Sequence, residues 1–246
     1  MFDHVEIRVT DVEASKRFYR LALGEPTHDD EWITEWDNFG IAAASAEKPA
    51  SARLHVGFGA QERAEVDRWW AKLTTAGYEN DGDPGVRAWY HDTYYGAFVR
   101  DPDGHSVESV HHHRTDAAAT RVDHLWLRTA SIENAKRFYE AIAPVVGIEL
   151  VHDTPDRVRF SDGVGSFSFV HLDEPTERVH LAFGVGGRAA VDEFHRVASA
   201  AGAVDNGKPG ERPQYHPGYY GAFVLDPDGH NVEAVFHDRL TVNARR

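Results

Sequence analysis

The sequence of 246 residues contains no cysteine. This absence excludes disulfide bonds, thiolate nucleophiles, iron–sulfur clusters and zinc sites built on cysteine. A metal ion would therefore depend on histidine and carboxylate side chains. The chain is rich in both, with 16 His and 40 Asp plus Glu.

Positive charge is scarce. The 26 Lys and Arg residues leave a formal net charge of −14 at pH 7. Because affinity for nucleic acid comes largely from Lys and Arg that displace counterions, we expect no nucleic-acid partner. The same charge balance predicts no association with an anionic membrane surface.

Long apolar runs are also missing. No stretch approaches the roughly 18 consecutive apolar residues that a membrane-spanning helix needs. The opening Met-Phe-Asp-His has neither the basic nor the apolar region of a secretory signal. With 41% hydrophobic residues, the composition predicts a globular protein with a substantial core, which we expect in the cytoplasm.

An internal repeat organises the chain. Residues 94–110, YYGAFVRDPDGHSVESV, and 219–235, YYGAFVLDPDGHNVEAV, are identical at 14 of 17 positions. Lys-Arg-Phe-Tyr at 16–19 also returns at 136–139. The repeat indicates a tandem duplication. It predicts domains at 1–113 and 121–246, joined by a polar linker at 114–120.

Each half divides again into two similar quarters. Phe2 to Val9 alternates between apolar and polar residues, which predicts a half-buried strand. A helix is predicted to begin after Asp11 and to end at Gly24. The turn Asp-Pro-Asp-Gly connects the two closing strands of each half, and further strands are expected within 31–44 and 157–171.

Two imidazoles and one carboxylate recur on the strand faces opposite the helix-packing residues. They are His4, His55 and Glu108 in the first half, and His124, His180 and Glu233 in the second. Such a set, with open coordination positions, forms a facial triad for Fe(II) that also suits Mn(II), Ni(II) or Zn(II). The alternative is that these are ordinary surface or hydrogen-bonded side chains, since duplication copies inert residues too.

Three segments resemble the vicinal oxygen chelate superfamily. They are the opening DHVEIRVTDVEASKRFY, the strand LHVGF and the ending AFVRDPDGHSVESV. The superfamily includes glyoxalases, extradiol dioxygenases, fosfomycin-resistance enzymes and bleomycin-binding proteins. The resemblance covers nearly the whole chain. It implies an α+β fold of two homologous domains, in which paired βαβββ modules form a curved sheet around a cavity, and it implies metal-ligand roles for the six residues above.

The sequence departs from two of the superfamily's patterns. Glyoxalase-like members add a carboxylate from the last strand of the first module, but 40–44 reads Gly-Ile-Ala-Ala-Ala, and 167–171 offers only His171. Extradiol dioxygenases have a tyrosine ten residues before the last ligand, where this chain has Phe98 and Phe223. A site with three ligands is therefore expected.

Two loops carry further candidates for chemistry. His91 and His216 each follow a tyrosine and could act as a general base, because imidazole titrates near neutral pH. Aromatic packing is the alternative for the neighbouring tyrosines. We expect the loops 88–95 and 214–220 to shape substrate access. The run His111 to His113 is interpreted as surface residues.

The resemblance predicts a divalent-metal enzyme that acts on a small oxygen-rich metabolite, of isomerase, lyase or dioxygenase type. The alternative is a metal-free binding protein that sequesters a small molecule such as an antibiotic. The expected partner is a small-molecule substrate, and the chain is expected to be a monomeric pseudo-dimer or a homodimer.

Two expectations concern how the modules are arranged. We expect pairing within each half, which would group His4 with His55 and Glu108, because sequential modules need shorter loop closures. The alternative exchanges modules between the halves. We also expect different cavity walls, because Ala42 to Ala44 align with a segment that contains Phe167 and Phe169.

Overall fold

The computed structural model describes residues 1–88, 90–112 and 121–238, so the predicted linker 114–120 lies outside the described residues. The helices are α1 Val12–Leu23, α2 Arg63–Thr75, α3 Ile132–Val146 and α4 Arg188–Ala200. The strands are β1 Phe2–Val9, β2 His28–Asp29, β3 Thr34–Trp36, β4 Phe39–Ala43, β5 His55–Gly59, β6 Asn80–Val86, β7 Tyr95–Arg100, β8 Ser106–His111, β9 Val122–Thr129, β10 Glu149–Thr154, β11 Arg157–Ser161, β12 Ser166–His171, β13 His180–Gly184, β14 Val204–Glu211, β15 Tyr219–Leu225 and β16 Asn231–His237.

The local signals in the first module act as predicted. The Asp11 carboxylate accepts a hydrogen bond from the backbone N–H of Ala14 and caps α1. The helix ends at Gly24, whose φ of 91° favours glycine. Phe18 and Tyr19 are buried on the inner face of α1. The expected middle strands are also present, as β3, β4, β11 and β12.

The strands form two curved eight-stranded sheets, as the α+β prediction requires. One sheet has the order β14-β15-β16-β13-β1-β4-β3-β2. The other has the order β10-β11-β12-β9-β5-β8-β7-β6. Each βαβββ module thus contributes four adjacent strands to a sheet.

The expectation that modules pair within each half is wrong. β1 of the first module is hydrogen-bonded to β13 of the fourth, and β5 of the second module to β9 of the third. The second and third modules are also consecutive, so their pairing still benefits from a short connection. The distant pairing of β1 is stabilised by apolar burial, because the Phe2 ring lies 5.7 Å from Phe167 and 5.5 Å from Phe183.

Two compact units emerge from the contacts, and they differ from the sequence halves. One consists of Met1–Val5 with the described part of Arg128–Arg246, and the other of Glu6–Leu127. In the first unit α4 packs against β15 and β16, and in the second α2 packs against β7 and β8. In both units the helix covers one face of these strands.

The strands β6 and β14 were missed by the sequence patterns because they contain glycine and proline. β6 includes Gly82, Pro84 and Gly85, residues that disfavour an inner strand. Both strands lie at the edge of a sheet. Proline is tolerated there because its missing N–H can face away from the neighbouring strand.

The expected contrast between Ala42–Ala44 and the two phenylalanines of β12 used the wrong register. Phe167 and Phe169 are fully buried against Tyr139 of α3, with ring centroids 5.1 and 4.8 Å away. The counterpart of Phe167 is Phe39, which lies 5.0 Å from Tyr19 of α1. The phenylalanines therefore belong to the core beneath the helix.

In the described part of the chain, no helix is both long enough and apolar enough to cross a membrane.

Candidate metal centres

Two groups of side chains could each hold a metal ion. Centre 1 consists of His4 on β1, His180 on β13 and Glu233 on β16. The Nε2 atoms of the two histidines lie 3.0 Å apart. Oε2 of Glu233 lies 3.7 Å from Nε2 of His4 and 3.2 Å from Nε2 of His180. All three donor atoms therefore converge on one point.

Centre 2 consists of His55 on β5, Glu108 on β8 and His124 on β9. Its three donor atoms form a nearly regular triangle. Nε2 of His55 lies 3.1 Å from Nε2 of His124, and Oε2 of Glu108 lies 3.1 Å from each of them. The parallel pairing of β5 with β8 sets His55 beside this carboxylate.

These separations suit a metal ion with a facial triad of ligands. Three ligands at right angles, each about 2.1 Å from the ion, hold their donor atoms about 3.0 Å apart. Two imidazoles and one carboxylate are also the donors that Fe(II), Mn(II), Ni(II) and Zn(II) accept. The residues present therefore fit a divalent metal. The expected grouping of His4 with His55 is wrong, because His4 lies with His180 and Glu233.

One histidine of each centre is oriented by the aspartate that precedes it in the sequence. Nδ1 of His4 lies 2.9 Å from Oδ1 of Asp3, and Nδ1 of His124 lies 3.0 Å from Oδ1 of Asp123. A carboxylate on Nδ1 directs the Nε2 lone pair toward the metal position and makes the imidazole a stronger ligand. The two aspartates recur in the sequence before both histidines, and this repetition was the signal for their role.

A second histidine supports each of these aspartates. Nε2 of His237 lies 3.1 Å from Oδ2 of Asp3, and Nε2 of His112 lies 2.8 Å from Oδ2 of Asp123. The interpretation of the histidine run as surface residues is therefore wrong for His112, which is buried. The run's last member lies outside the described residues.

Two tyrosines hold the glutamate ligands. The hydroxyl of Tyr94 donates to Oε1 of Glu108 at 2.8 Å, and that of Tyr219 donates to Oε1 of Glu233 at 2.6 Å. In each glutamate, the second oxygen remains directed at the histidines. The sequence predicts only packing or loop roles for these tyrosines, whereas in the structure their hydroxyls donate to the candidate ligand carboxylates.

Glycine makes room for the ligands at close approaches. A Cβ atom at Gly96 would overlap Oε1 of Glu108, and one at Gly57 would overlap the imidazole of His124. The counterpart of Gly57 in the other centre is Ala182, because each of them lies opposite the glutamate ligand in the parallel ladder. The two centres therefore differ at this position.

Burial and hydrogen bonding shift the pKa values of all three side chains of centre 2. Burial alone would raise the pKa of Glu108, but hydrogen bonds from His124 and His55 outweigh it and lower the pKa to about 2. Burial also opposes the charged form of His124, yet its bonds with Asp123 and Glu108 raise its pKa to about 10. Burial lowers the pKa of His55.

The two proposed base residues occupy different surroundings. Nε2 of His216 lies 2.9 Å from Nδ1 of His237, and their rings are stacked. His91 instead places Nδ1 2.9 Å from the hydroxyl of Thr93. Among the described residues, neither histidine belongs to a group of converging candidate metal ligands. His216 is nevertheless connected to centre 1, because its partner binds Asp3.

Sequence comparison identifies the family. The sequence profile described as "Glyoxalase/Bleomycin resistance protein/Dioxygenase superfamily" matches residues 1–109 and 121–234. The chain belongs to this superfamily. Each matched segment contains three of the six candidate ligands, and the two separate matches reproduce the duplication.

Known relatives within and outside bacteria share its sequence or fold. The chain is 31% identical over 125 residues to the uncharacterized protein YqjT of Bacillus subtilis (strain 168). The aligned region covers 44% of this chain and 95% of YqjT. Glyoxalase I from Zea mays is 18% identical with a TM-score of 0.69, covering 98% of this chain and 94% of that one. A putative dioxygenase from Bacillus subtilis is 13% identical with a TM-score of 0.67, covering 96% and 85%. The two structures show a shared fold.

The residues at the two departures noted in the sequence add no further candidate ligand to either centre within the described part of the chain. Among the described residues, each centre gathers three ligands, and neither Ala42 nor the exposed His171 joins them. Phe98 and Phe223 lie opposite the glutamate ligands in the antiparallel ladder, with their rings beside His55 and His180. A phenylalanine ring thus lies beside one histidine of each centre.

Proposed function

We propose that the protein is a divalent-metal-dependent enzyme that acts on a small oxygen-rich metabolite at its two 2-His-1-Glu centres. The observation that carries this proposal is the convergence of three donor atoms, 3.0 to 3.7 Å apart, twice in one chain. Isomerase, lyase and dioxygenase reactions are all compatible with such centres.

The surroundings of the donor atoms favour a cation over a set of hydrogen bonds. At centre 2, Asp123 accepts from Nδ1 of His124, so Nε2 faces Glu108 and His55 with either a lone pair or a second proton. A single proton can satisfy only one of these contacts. A divalent ion satisfies all three donors at once, which supports a metal at this point.

A bound divalent metal would chelate two adjacent oxygens of a substrate and stabilise an enolate or a similar oxyanion. The protein's own residues would keep the ligands in place for that chemistry. Asp3 and Asp123 fix the imidazoles, while Tyr94 and Tyr219 hold the second glutamate oxygen. Such outer contacts commonly change metal affinity or activity by about 10- to 100-fold.

We assign the general-base role to the loop histidines, and to His216 first. Its imidazole is connected through His237 and Asp3 to the ligand His4, which gives a path for a proton to leave the reacting group. Replacing His216 or His91 with Gln keeps size and hydrogen bonding but removes the proton equilibrium. Loss of the base should lower turnover by about 100-fold. Unchanged turnover in both variants would leave these residues only packing or binding roles.

The test of the proposal is metal analysis of protein purified without a histidine tag. After chelator treatment, the protein is reconstituted separately with Fe(II), Mn(II), Ni(II) and Zn(II), then desalted and measured by inductively coupled plasma mass spectrometry. We expect close to two ions per chain for the preferred metal. We also expect a higher melting temperature, because an ion that binds only the folded state stabilises it.

Clearly substoichiometric metal with no gain in stability would overturn the proposal. That outcome would favour the metal-free alternative, in which the aromatic surroundings of His55 and His180 bind a small molecule without catalysis. The Phe98 ring beside His55 and the Trp126 ring 6.4 Å from it supply such an apolar surface at centre 2.

A further inference from the structure

A short motif recurs on the two edge strands. Residues 82–87 read Gly-Asp-Pro-Gly-Val-Arg and residues 207–212 read Gly-Lys-Pro-Gly-Glu-Arg. The shared residues are two glycines, a proline and an arginine. The first five residues of each motif lie in β6 or β14, and the arginine follows directly. None of them takes part in the metal centres.

The two glycines of each motif make space for particular side chains. In β6, a Cβ at Gly82 would lie 2.8 Å from the Phe98 ring, and one at Gly85 would lie 2.7 Å from Nη1 of Arg87. β14 repeats this arrangement, with 2.9 Å from Gly207 to the Phe223 ring and 2.9 Å from Gly210 to Nη1 of Arg212. An alanine at any of these positions would displace a ring or a guanidinium group.

The ring and the guanidinium group lie on the same face of the sheet as the metal ligands. Phe98 is directly opposite Glu108 in the antiparallel ladder. A Cβ atom at Gly96 would point toward the carboxylate of Glu108. Gly82 pairs with Phe98, and Gly85 pairs with Gly96. Since paired residues of neighbouring strands point to the same face, Arg87 lies on the ligand side.

The guanidinium groups are close enough to share a small molecule with the metal. Cζ of Arg87 lies 5.4 Å from the Phe98 centroid, which lies 5.7 Å from the His55 centroid. Cζ of Arg87 therefore lies at most about 11 Å from the centroid of the His55 ring. At centre 1, Cζ of Arg212 lies 5.4 Å from the centroid of Phe223, and that centroid lies 6.2 Å from the centroid of His180.

Main-chain oxygens accept hydrogen bonds from both guanidinium groups. Nη2 of Arg87 donates to the carbonyl of Asp83 at 2.7 Å. Arg212 donates to the carbonyls of Lys208 at 2.6 Å and Glu211 at 3.2 Å. Among the described residues, no carboxylate forms an ion pair with Arg212. Its positive charge is therefore available to a ligand, in a protein whose net charge is −14.

We propose that Arg87 and Arg212 bind a carboxylate of the substrate, at the end remote from the metal. The inference rests on the proposed function, because the metal would hold the adjacent oxygens at the other end of the same molecule. A planar guanidinium matches a carboxylate through two parallel hydrogen bonds, and its single charge is balanced by a monoanion. The substrate class is then a small carboxylic acid with two adjacent oxygens.

The test compares two catechols that differ in charge. 3-(3,4-Dihydroxyphenyl)propionate carries the carboxylate, and 4-ethylcatechol lacks it. Both are titrated into protein reconstituted with Fe(III), and the visible charge-transfer band of the iron catecholate reports binding without turnover. We expect the affinity for the propionate to be at least about 10-fold higher than that for 4-ethylcatechol, because only the propionate can form a charged hydrogen bond with the guanidinium group.

The double variant Arg87→Gln with Arg212→Gln should lose this preference and keep its affinity for 4-ethylcatechol. Replacing both arginines with Lys should restore part of it. The matched control is Arg63→Gln with Arg188→Gln. It also removes two arginines stacked on tyrosines, at 5.2 and 5.1 Å, but Tyr95 packs on the helix side. The control should keep the full preference.

Three outcomes would overturn the inference. The first is that wild-type protein binds both catechols with equal affinity. The second is that the double glutamine variant still binds the propionate more tightly than 4-ethylcatechol. The third is that this variant loses affinity for both catechols equally, which would give the arginines a structural role. The proposed function fails differently: neither catechol then gives a band in the wild type, and the inference falls with it. Metal content measured on each variant shows whether its centres are intact.

Discussion

The Nε2 atoms of His4 and His180 lie 3.0 Å apart, although 176 positions separate the residues in sequence. The contact exists because β1 is hydrogen-bonded to β13. Centre 1 therefore depends on residues near the beginning of the chain and on residues of its last quarter. Centre 2 is built from the two middle quarters, where 69 positions separate His55 from His124.

This grouping predicts which double variants spare one metal. His4→Ala with Glu233→Ala damages centre 1 alone, so one ion per chain should remain tightly bound. His4→Ala with Glu108→Ala removes one ligand from each centre, so both ions should weaken. Metal retained after dialysis against a graded chelator series measures the difference. One tightly bound ion in the second variant would contradict the grouping.

Gly57 is expected to be essential for centre 2 alone. In Gly57→Ala, the new methyl group would overlap the imidazole of His124 and force it away from the metal position. Metal affinity at this centre should fall by about 10-fold or more, as for other disturbed ligand positions. The matched control is Ala182→Gly, which makes the reverse change at the counterpart position. Calorimetric titration that shows two unchanged sites in Gly57→Ala would refute this role.

The tyrosine hydroxyls should matter because they fix the glutamate ligands. Tyr219→Phe removes the donor to Oε1 of Glu233, and Tyr94→Phe removes the donor to Glu108. Each change should weaken metal binding at its own centre by about 10-fold. The neighbours Tyr220→Phe and Tyr95→Phe are matched controls, since those hydroxyls bind helix carboxylates instead. Equal effects in both pairs would argue against a specific role.

The pKa of His124 predicts how the stability of metal-free protein depends on pH. Its pKa rises from 6.5 to about 10 on folding. The stabilisation by the protonated imidazole is therefore fully present below pH 6.5 and is lost as the pH rises to about 10. A bound metal replaces this proton, so metal-loaded protein should not show the loss. Melting temperatures of both forms at pH 6, 8 and 10 test this, and a flat profile for the metal-free form would contradict it.

The residue types of the two candidate metal centres could be predicted from the sequence, but the grouping of those residues could not. Duplication placed His, His and Glu in both halves, so His4 could be combined with either later pair without changing the residue types. Loop-closure entropy favoured the nearer pair. In the structure, burial of Phe2 between the rings of the last two modules accompanies the distant pairing, and no periodicity in the sequence reports such a contact.

The groups that support the ligands were visible only once the strands were in register. Asp3 and Asp123 recur before their histidines, yet an aspartate beside a histidine is common in any soluble protein. His112 lies in a polar run that resembles a linker, but in the structure it is buried and contacts Asp123 of β9. The fold class was easier, because the strand and helix patterns repeat four times. The edge strands β6 and β14 were not, since their glycines and prolines serve side chains on the neighbouring strand.

The pairing of β1 with β13 also sets the order in which the chain can mature during translation. The first strand leaves the ribosome first, but the residues of β13 follow only after an interval on the order of ten seconds at ordinary elongation rates. Centre 2 can form during that interval, because its last ligand is His124. Until then β1 is an open edge that carries Phe2 and Val5, and an open edge can pair with a strand of another chain.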